Sequence, residues 1–354
     1  MMKRISQKNC SPMNFSRIIG AAGVSALLLC PSSSNAFAGA ASFSRPLDSI
    51  CHANTAGATQ RQYAVTKLSA SVANIVIEFP KAISVRPGES PVEEQDALNP
   101  IDESCTFLVV GSNRGIGIEF VKQCLGKGAT VIATHRSTDV PASLSEIRSS
   151  EDDLFAENLI TIQMDLEDEE SIAEAARDLK SRKNVQPLTH IIHNAGIYLS
   201  GASFDGKARA NRAAAPKVTK EVLMKTFAIN SIAPLLVAQY FVPLLGKRSE
   251  KLFPVIAFLS SKVGSVDDNG SGGAYAYRSS KSALNNIAKS LSVDVADEAR
   301  VVLLHPGWVR TDMTNGNGLI DTDTSVAGML KAIEATDAST AFRFVDYKAC
   351  QIPW

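Results

Sequence analysis

One run of residues restricts this chain more than any other: an apolar strand that stops at a glycine-rich turn and then opens a helix. It reads Thr106-Phe-Leu-Val-Val-Gly-Ser-Asn-Arg-Gly-Ile-Gly117. The glycines of Gly111-x-x-x-Gly115-x-Gly117 have distinct roles, permitting a tight turn, a backbone close to a pyrophosphate, and a helix packed hard on its strand. A helix starting at Gly115 aims free N–H groups and its positive dipole end at the same spot, which welcomes an anion. A dinucleotide fits there. Glycines also serve ordinary turns, so the triplet is weak evidence until the strand before it and the helix after it are counted.

Beyond the turn, apolar strands alternate with helical segments. Strands are predicted at Thr106–Val110, Ala129–Thr134, Leu159–Met164, Thr189–His193, Val255–Leu259 and Val301–His305. Helices are predicted at Ile116–Leu125, Ser171–Ser181, Lys220–Leu245, Tyr277–Ala296 and Ser325–Ala335. Strands apolar throughout, each followed by a helix, imply an α/β fold of the doubly wound Rossmann type, a parallel sheet with helices on both faces. The ligand should then lie at the strands' carboxyl ends.

The first hundred residues read differently. Lys3 and Arg4, the apolar run Ile18–Cys30 and the small residues up to Ala36 form a signal peptide over 1–36, too short in its apolar part to span a bilayer. Residues 37–77 are rich in Ser, Ala and Thr, and Asp48 is their one acid, as in a transit peptide. The pair resembles the two-part plastid-targeting presequences of algae with secondary plastids; the competing reading is a secreted protein with a pro-region. Residues 78–104, with Pro80, Pro87, Pro91 and Pro100, read as a linker into a domain over 105–354.

Lys plus Arg equals Asp plus Glu at 36 each, and no basic block stands out, so a nucleic-acid partner is not expected. The six cysteines lack Cys-x-x-Cys spacing and read as free thiols, and no metal site is visible. No membrane span is expected in the mature form.

Two residue patterns specify the chemistry further. An NAD-binding chain places an acid at the end of the second strand to grip the ribose hydroxyls. Here that end reads Ala133-Thr-His-Arg-Ser137. Arg136 stands where a 2′-phosphate needs a partner, and Arg114 can approach the same phosphate, so NADP(H) is preferred. The second pattern is Tyr277-Arg-Ser-Ser-Lys281, in which Lys281 lies one helical turn from Tyr277 and is expected to favour its ionised form. Tyr275 is the rival phenol, but four residues on it finds only Ser279.

The ordered set Gly111-x-x-x-Gly115-x-Gly117, Asn194-Ala-Gly196, Asn230, Ser261, Tyr277-x-x-x-Lys281 and Pro306-Gly307 resembles the short-chain dehydrogenase/reductase family, over residues 105–354. Within it, Gly111-Ser-Asn-Arg-Gly-Ile-Gly117, the Asp267–Gly273 loop, Tyr277-Arg-Ser-Ser-Lys-Ser-Ala-Leu-Asn285 and the ending Ile352-Pro-Trp354 are similar to the sniffer and C-factor type of carbonyl reductases. The resemblance implies that Tyr277 protonates a carbonyl oxygen, that Lys281 lowers its pKa and holds the nicotinamide ribose, and that Ser261 hydrogen-bonds the substrate. It also implies that Asn230 holds a water of a proton relay. Gly111, Ser112, Asn113, Arg114, Gly115, Ile116 and Gly117 would meet the cofactor, with Arg136, Asp165, Leu166, Asn194, Ala195, Gly196, Pro306, Gly307, Val309 and Thr311. The alternation of the fifth strand favours Ser261 over Ser260 as the residue facing the site. His193 stands where the family commonly has asparagine, which puts one side-chain bond in doubt.

The implied activity is an NADPH-dependent reduction of a small aldehyde, ketone or quinone. The rivals are a plastid β-ketoacyl carrier-protein reductase, for which Lys207, Arg209, Arg212, Lys217 and Lys220 would supply a basic patch, and a non-catalytic NADP-sensing protein. A homodimer or homotetramer is also implied. The pocket is expected from the segments 197–202, 261–264 and 308–320.

Overall fold

A computed structural model describes residues 99–149, 153–209, 213–247 and 253–354 of the chain. The expected signal peptide, transit peptide and all of the linker before Asn99 lie outside the described residues. The end of that linker is docked rather than free: Asn99 is buried and exchanges hydrogen bonds with the backbone of Phe253 (2.9 and 3.1 Å), and Ile101 joins the core.

Among the described residues, seven parallel strands form one sheet: β1 (Thr106–Val110), β2 (Thr130–His135), β3 (Leu159–Gln163), β4 (His190–His193), β5 (Val255–Leu259), β6 (Arg300–His305) and β7 (Arg343–Asp346), in the order 3-2-1-4-5-6-7. The order reverses between β1 and β4, which opens a crevice at their carboxyl ends. Helices α1 (Gly115–Gly126), α2 (Ala142–Arg148) and α8 (Thr322–Glu334) cover one face; α4 (Glu169–Ser181), α6 (Ala233–Phe241) and α7 (Tyr275–Asp294) cover the other.

The central strands β1 and β5 are apolar throughout because both faces are buried, whereas the edge strands β3 and β7 carry polar residues. Phe107 and Val109 pack into the core beneath α1 and α8, whereas Leu108 and Val110 pack beneath α4, α6 and α7. In β5 the same parity sends Val255, Ala257 and Leu259 one way and Ile256 and Phe258 the other. Helix starts follow local chemistry. Asp168 caps α4 by accepting from Glu170 N, and Asp321 caps α8 by accepting from Thr324 N.

The structure departs from the sequence reading in short elements, in helix starts and in one long helix. The short α2, α3 (Asp153–Asn158) and β7 were not anticipated, and α7 begins at Tyr275 rather than Tyr277. The helix expected over Lys220–Leu245 is α5 (Lys220–Phe227), a π-helical turn (Ala228–Ile232) and α6, closed by a 3-10 turn at Val242–Leu244. Pro234 explains the first interruption, since it has no N–H to return to the carbonyl of Asn230; Pro243 accompanies the second.

Candidate active site

At the cofactor side of the crevice, backbone meets backbone. Gly111 has φ +76°, and a Cβ on it would come within 2.8 Å of the Ala195 Cβ. A Cβ on Gly117 would lie 2.1 Å from the Gly111 oxygen, so α1 can approach its strand only with glycine there. The Asn194 amide then closes the turn by donating to the Gly111 oxygen at 2.7 Å. Arg114 precedes α1 as an extended residue and puts no side chain on the helix's first N–H groups, which stay directed at the crevice. Such a cradle fits a pyrophosphate.

Several residues expected around a dinucleotide have other partners. The Ser112 hydroxyl donates to the Thr134 oxygen at 2.9 Å, and the Asn113 carbonyl accepts from Ser143 Oγ at 2.7 Å. Arg114 forms an ion pair with Asp312 at 2.8 Å, both side chains being exposed. Arg136 is exposed at the end of β2 and has no ion-pair partner among the described residues. Asp165 is not a helix cap: its carboxylate accepts from Glu167 N at 3.0 Å in a tight turn, and Leu166 beside it packs on the core. Ile116 lies partly buried against the α1 side. Below the crevice, Gly307 has φ +84° and leaves no room for a Cβ against Ile320 and Tyr347. The Pro306 carbonyl accepts from Ser325 Oγ, buried Val309 bridges to Ile320, and Thr311 opens the 3-10 turn bearing Asp312.

On the other side, β5 runs into Ser260 and Ser261. The Ser260 hydroxyl donates to Asn285 Oδ1 of α7 at 2.6 Å, which turns it away and leaves Ser261 to interact with Tyr277. Tyr277 lies in the first turn of α7, just after Ala274, whose left-handed φ of 46° turns the chain into the helix. Its ring meets Tyr198 at 5.1 Å between centroids, tilted by 60°. Burial pushes the Tyr277 phenol up to about 12, and the hydrogen bond with Ser261 pulls the other way.

Lys281, expected to favour the phenolate, is not among the groups that set this direction. The Lys281 ammonium is buried, donates to the Leu259 oxygen at 2.8 Å, and lies 5.8 Å from the centre of the Tyr277 ring. Its own pKa falls to about 8 through burial. Gly196 connects it to Asn230, since a Cβ there would sit 3.4 Å from both Lys281 Nζ and Asn230 Oδ1.

Asn230 sits in the π-turn, fully buried. Its Oδ1 accepts from Ile197 N at 2.8 Å, and its Nδ2 donates to the Ile197 oxygen (2.9 Å) and to Ser280 Oγ (3.1 Å). The amide therefore knots the π-turn to the Asn194–Gly196 turn and to α7. His193 is buried with Nε2 unpartnered, and burial holds it neutral down to about pH 3.

Sequence reasoning missed three side chains here. Tyr198 lay inside an expected pocket segment but carried no motif. Asp312, the partner of Arg114, is separated from it by 198 positions. Arg278 donates to the Val263 oxygen at 3.0 Å and to Ser271 Oγ at 2.7 Å, across the loop from Ser261 to Tyr277.

Comparison with known proteins agrees with this geometry. A family model described as short chain dehydrogenase matches residues 106–319. The C-signal protein of Myxococcus xanthus is 43% identical over 133 residues, covering 37% of this chain and 78% of that protein. The carbonyl reductase Sniffer of D. melanogaster superposes with a TM-score of 0.60 at 28% identity, over 71% of this chain and 99% of that one. An NADPH-bound carbonyl reductase from chicken fatty liver gives a TM-score of 0.58 at 30% identity, over 70% and 98%. With its seven-stranded parallel sheet, glycine cradle and Ser261–Tyr277–Lys281 cluster, the chain belongs to the short chain dehydrogenase family.

Proposed function

We propose that the protein is an NADPH-dependent carbonyl reductase acting on a small aldehyde, ketone or quinone. One observation carries the reading: the uncapped start of α1 and the Ser261–Tyr277–Lys281 cluster occupy the carboxyl edge of one sheet, at either side of its switch point. NADP(H) is the cofactor that suits the chain, because the end of β2 offers the exposed Arg136 and no acid from His135 to Thr138. Two of the similar solved structures point the same way, one being described as NADPH-bound and one as a complex with NADP.

NADPH, when bound, supplies the hydride. The glycines and the N–H groups of α1 would hold its pyrophosphate, Arg136 its 2′-phosphate, and Lys281 its nicotinamide ribose. Ser261 donates a hydrogen bond to the substrate oxygen and stabilises the charge that grows there. Tyr277 gives that oxygen its proton. A phenol pushed up to about 12 is protonated throughout the physiological range, so it is loaded as a donor before each turnover. The Lys281 ammonium, titrating near 8, is the neighbouring group able to return that proton.

The test is NADPH oxidation with a quinone, a simple aldehyde and an acetoacetyl thioester. Turnover of the first two supports the proposal; turnover of the thioester alone selects a β-ketoacyl reductase, and tight NADPH binding without turnover selects a cofactor sensor. For the N-terminal segment we propose plastid import through a signal and a transit peptide. Sequencing the mature protein from its host tests this, and a start before Phe37 refutes it.

A further inference from the structure

Arg278 and Trp354 take no part in the chemistry above, yet both grip the loop that joins Ser261 to Tyr277. That loop turns first through a 3-10 segment, Lys262–Gly264, which lies on α7 so closely that a Cβ on Gly264 would come within 2.7 Å of the Lys281 Cβ. From α7, Arg278 donates to the Val263 and Ser271 oxygens and Ser282 donates to the Gly264 oxygen at 2.6 Å. From the opposite side, the main-chain oxygen of Trp354 accepts from Asp267 N at 2.9 Å, Val266 N at 3.1 Å and Ser265 Oγ at 3.1 Å. The Trp354 ring is in turn fixed by stacking on Phe342, with centroids 5.4 Å apart and planes 7° from parallel, and by a tilted contact with Phe344 of β7. The middle of the loop has little apolar anchorage, since Val266 is exposed and Gly270, Gly272 and Gly273 lie nearby. Without the two grips a glycine-rich stretch would be free to sample many conformations.

We propose that Arg278 and Trp354 are positioning residues that clamp the turn after Ser261 between α7 and β7 and thereby fix the Ser261 hydroxyl against the Tyr277 phenol. Arg278 serves the purpose because its planar fork reaches two acceptors on two parts of the loop at once, from two nitrogens held rigidly apart. The inference rests on Ser261 and Tyr277 acting at the substrate oxygen.

A double-mutant cycle tests it on the full chain: wild type, Ser261→Ala, Arg278→Gln and the double variant, with turnover of a simple aldehyde, NADPH affinity and melting temperature read for each. Arg278→Gln should cut kcat about tenfold while NADPH affinity changes less than about twofold, and the loss should vanish once Ser261 is alanine. Trp354→Ala should behave like Arg278→Gln, and Trp354→Phe, which keeps both the stacking and the main-chain oxygen, should restore turnover. If Arg278→Gln fails to fold, Arg278→Lys replaces it and is expected to lose a smaller part of kcat. An equal loss in both Ser261 backgrounds, or a loss of NADPH affinity matching the loss of kcat, would overturn the clamp. Full turnover by Ser261→Ala alone would instead remove the donor assignment beneath it.

Discussion

The two sides of the crevice are made of different material. Around Gly111–Gly117 the surface is main chain, shaped by what glycine permits and held at its edges by Asn194, Thr134 and Ser143. Around Ser261 and Tyr277 the surface is side chain, kept in place by Arg278, Ser282, Asn230 and Asn285, each reaching to another element. The first kind fails when bulk is added; the second fails when a bond is taken away. Binding and turnover should therefore respond to different mutations.

The strongest test of that separation is Tyr277→Phe, which removes a hydroxyl and no bulk. Turnover should fall about a thousandfold with NADPH affinity nearly unchanged, as measured by steady-state kinetics beside fluorescence titration. Retention of full activity would place the proton donor elsewhere. Gly117→Ala attacks the other side with a single methyl group. The methyl meets the Gly111 oxygen and the Asn194 amide, so α1 must retreat. NADPH affinity should drop about a hundredfold and stability by about 2 kcal/mol, read by titration and by chemical denaturation.

Between the two sides runs β4, and it makes the molecule acid-sensitive. His190 and His193 are buried in it and stay neutral down to about pH 3. An unfolded histidine takes up its proton below about pH 6.5, so from there to pH 3 the unfolded chain binds more protons and stability falls as pH falls. At pH 5 each should cost about 2 kcal/mol relative to pH 7, and His193→Asn should flatten the acid limb of a melting-temperature profile. A profile unchanged by that substitution would mean His193 is protonated in the fold. The smallest effect is expected at the rim, where Arg136→Asp should weaken NADPH about tenfold more than NADH. Equal losses for the two cofactors would break the assignment of the 2′-phosphate to that edge.

The same contrast explains what could be read from the sequence. The glycine turn and six of the seven strands were legible because burial on two faces and a steric demand for glycine leave few alternatives. Strand parity favoured Ser261 for the site, and the bond from Ser260 to Asn285 turns the other hydroxyl away. Short elements escaped: β7 has four residues, two of them charged, and α2 follows Pro141 without a side-chain cap. Helical spacing says that Tyr277 and Lys281 are near, not where their polar ends go. The Lys281 ammonium turned to the Leu259 carbonyl, and burial decided the rest. Arg114 was expected to meet a phosphate, and its link to Asp312 depends on a contact between distant loops that no local pattern encodes.

The wide turn at Ala228–Ile232 carries a rule about counting. A π-turn contains one residue beyond an ordinary helical turn. Deleting one of the five would turn the wide turn into an ordinary one and leave α6 in phase with the core. Val237, Ala238 and Phe241 would stay buried, but the amide that meets Ile197 would lose its place. The extra residue thus serves the crevice rather than the core, and a gap there should cost turnover before it costs stability.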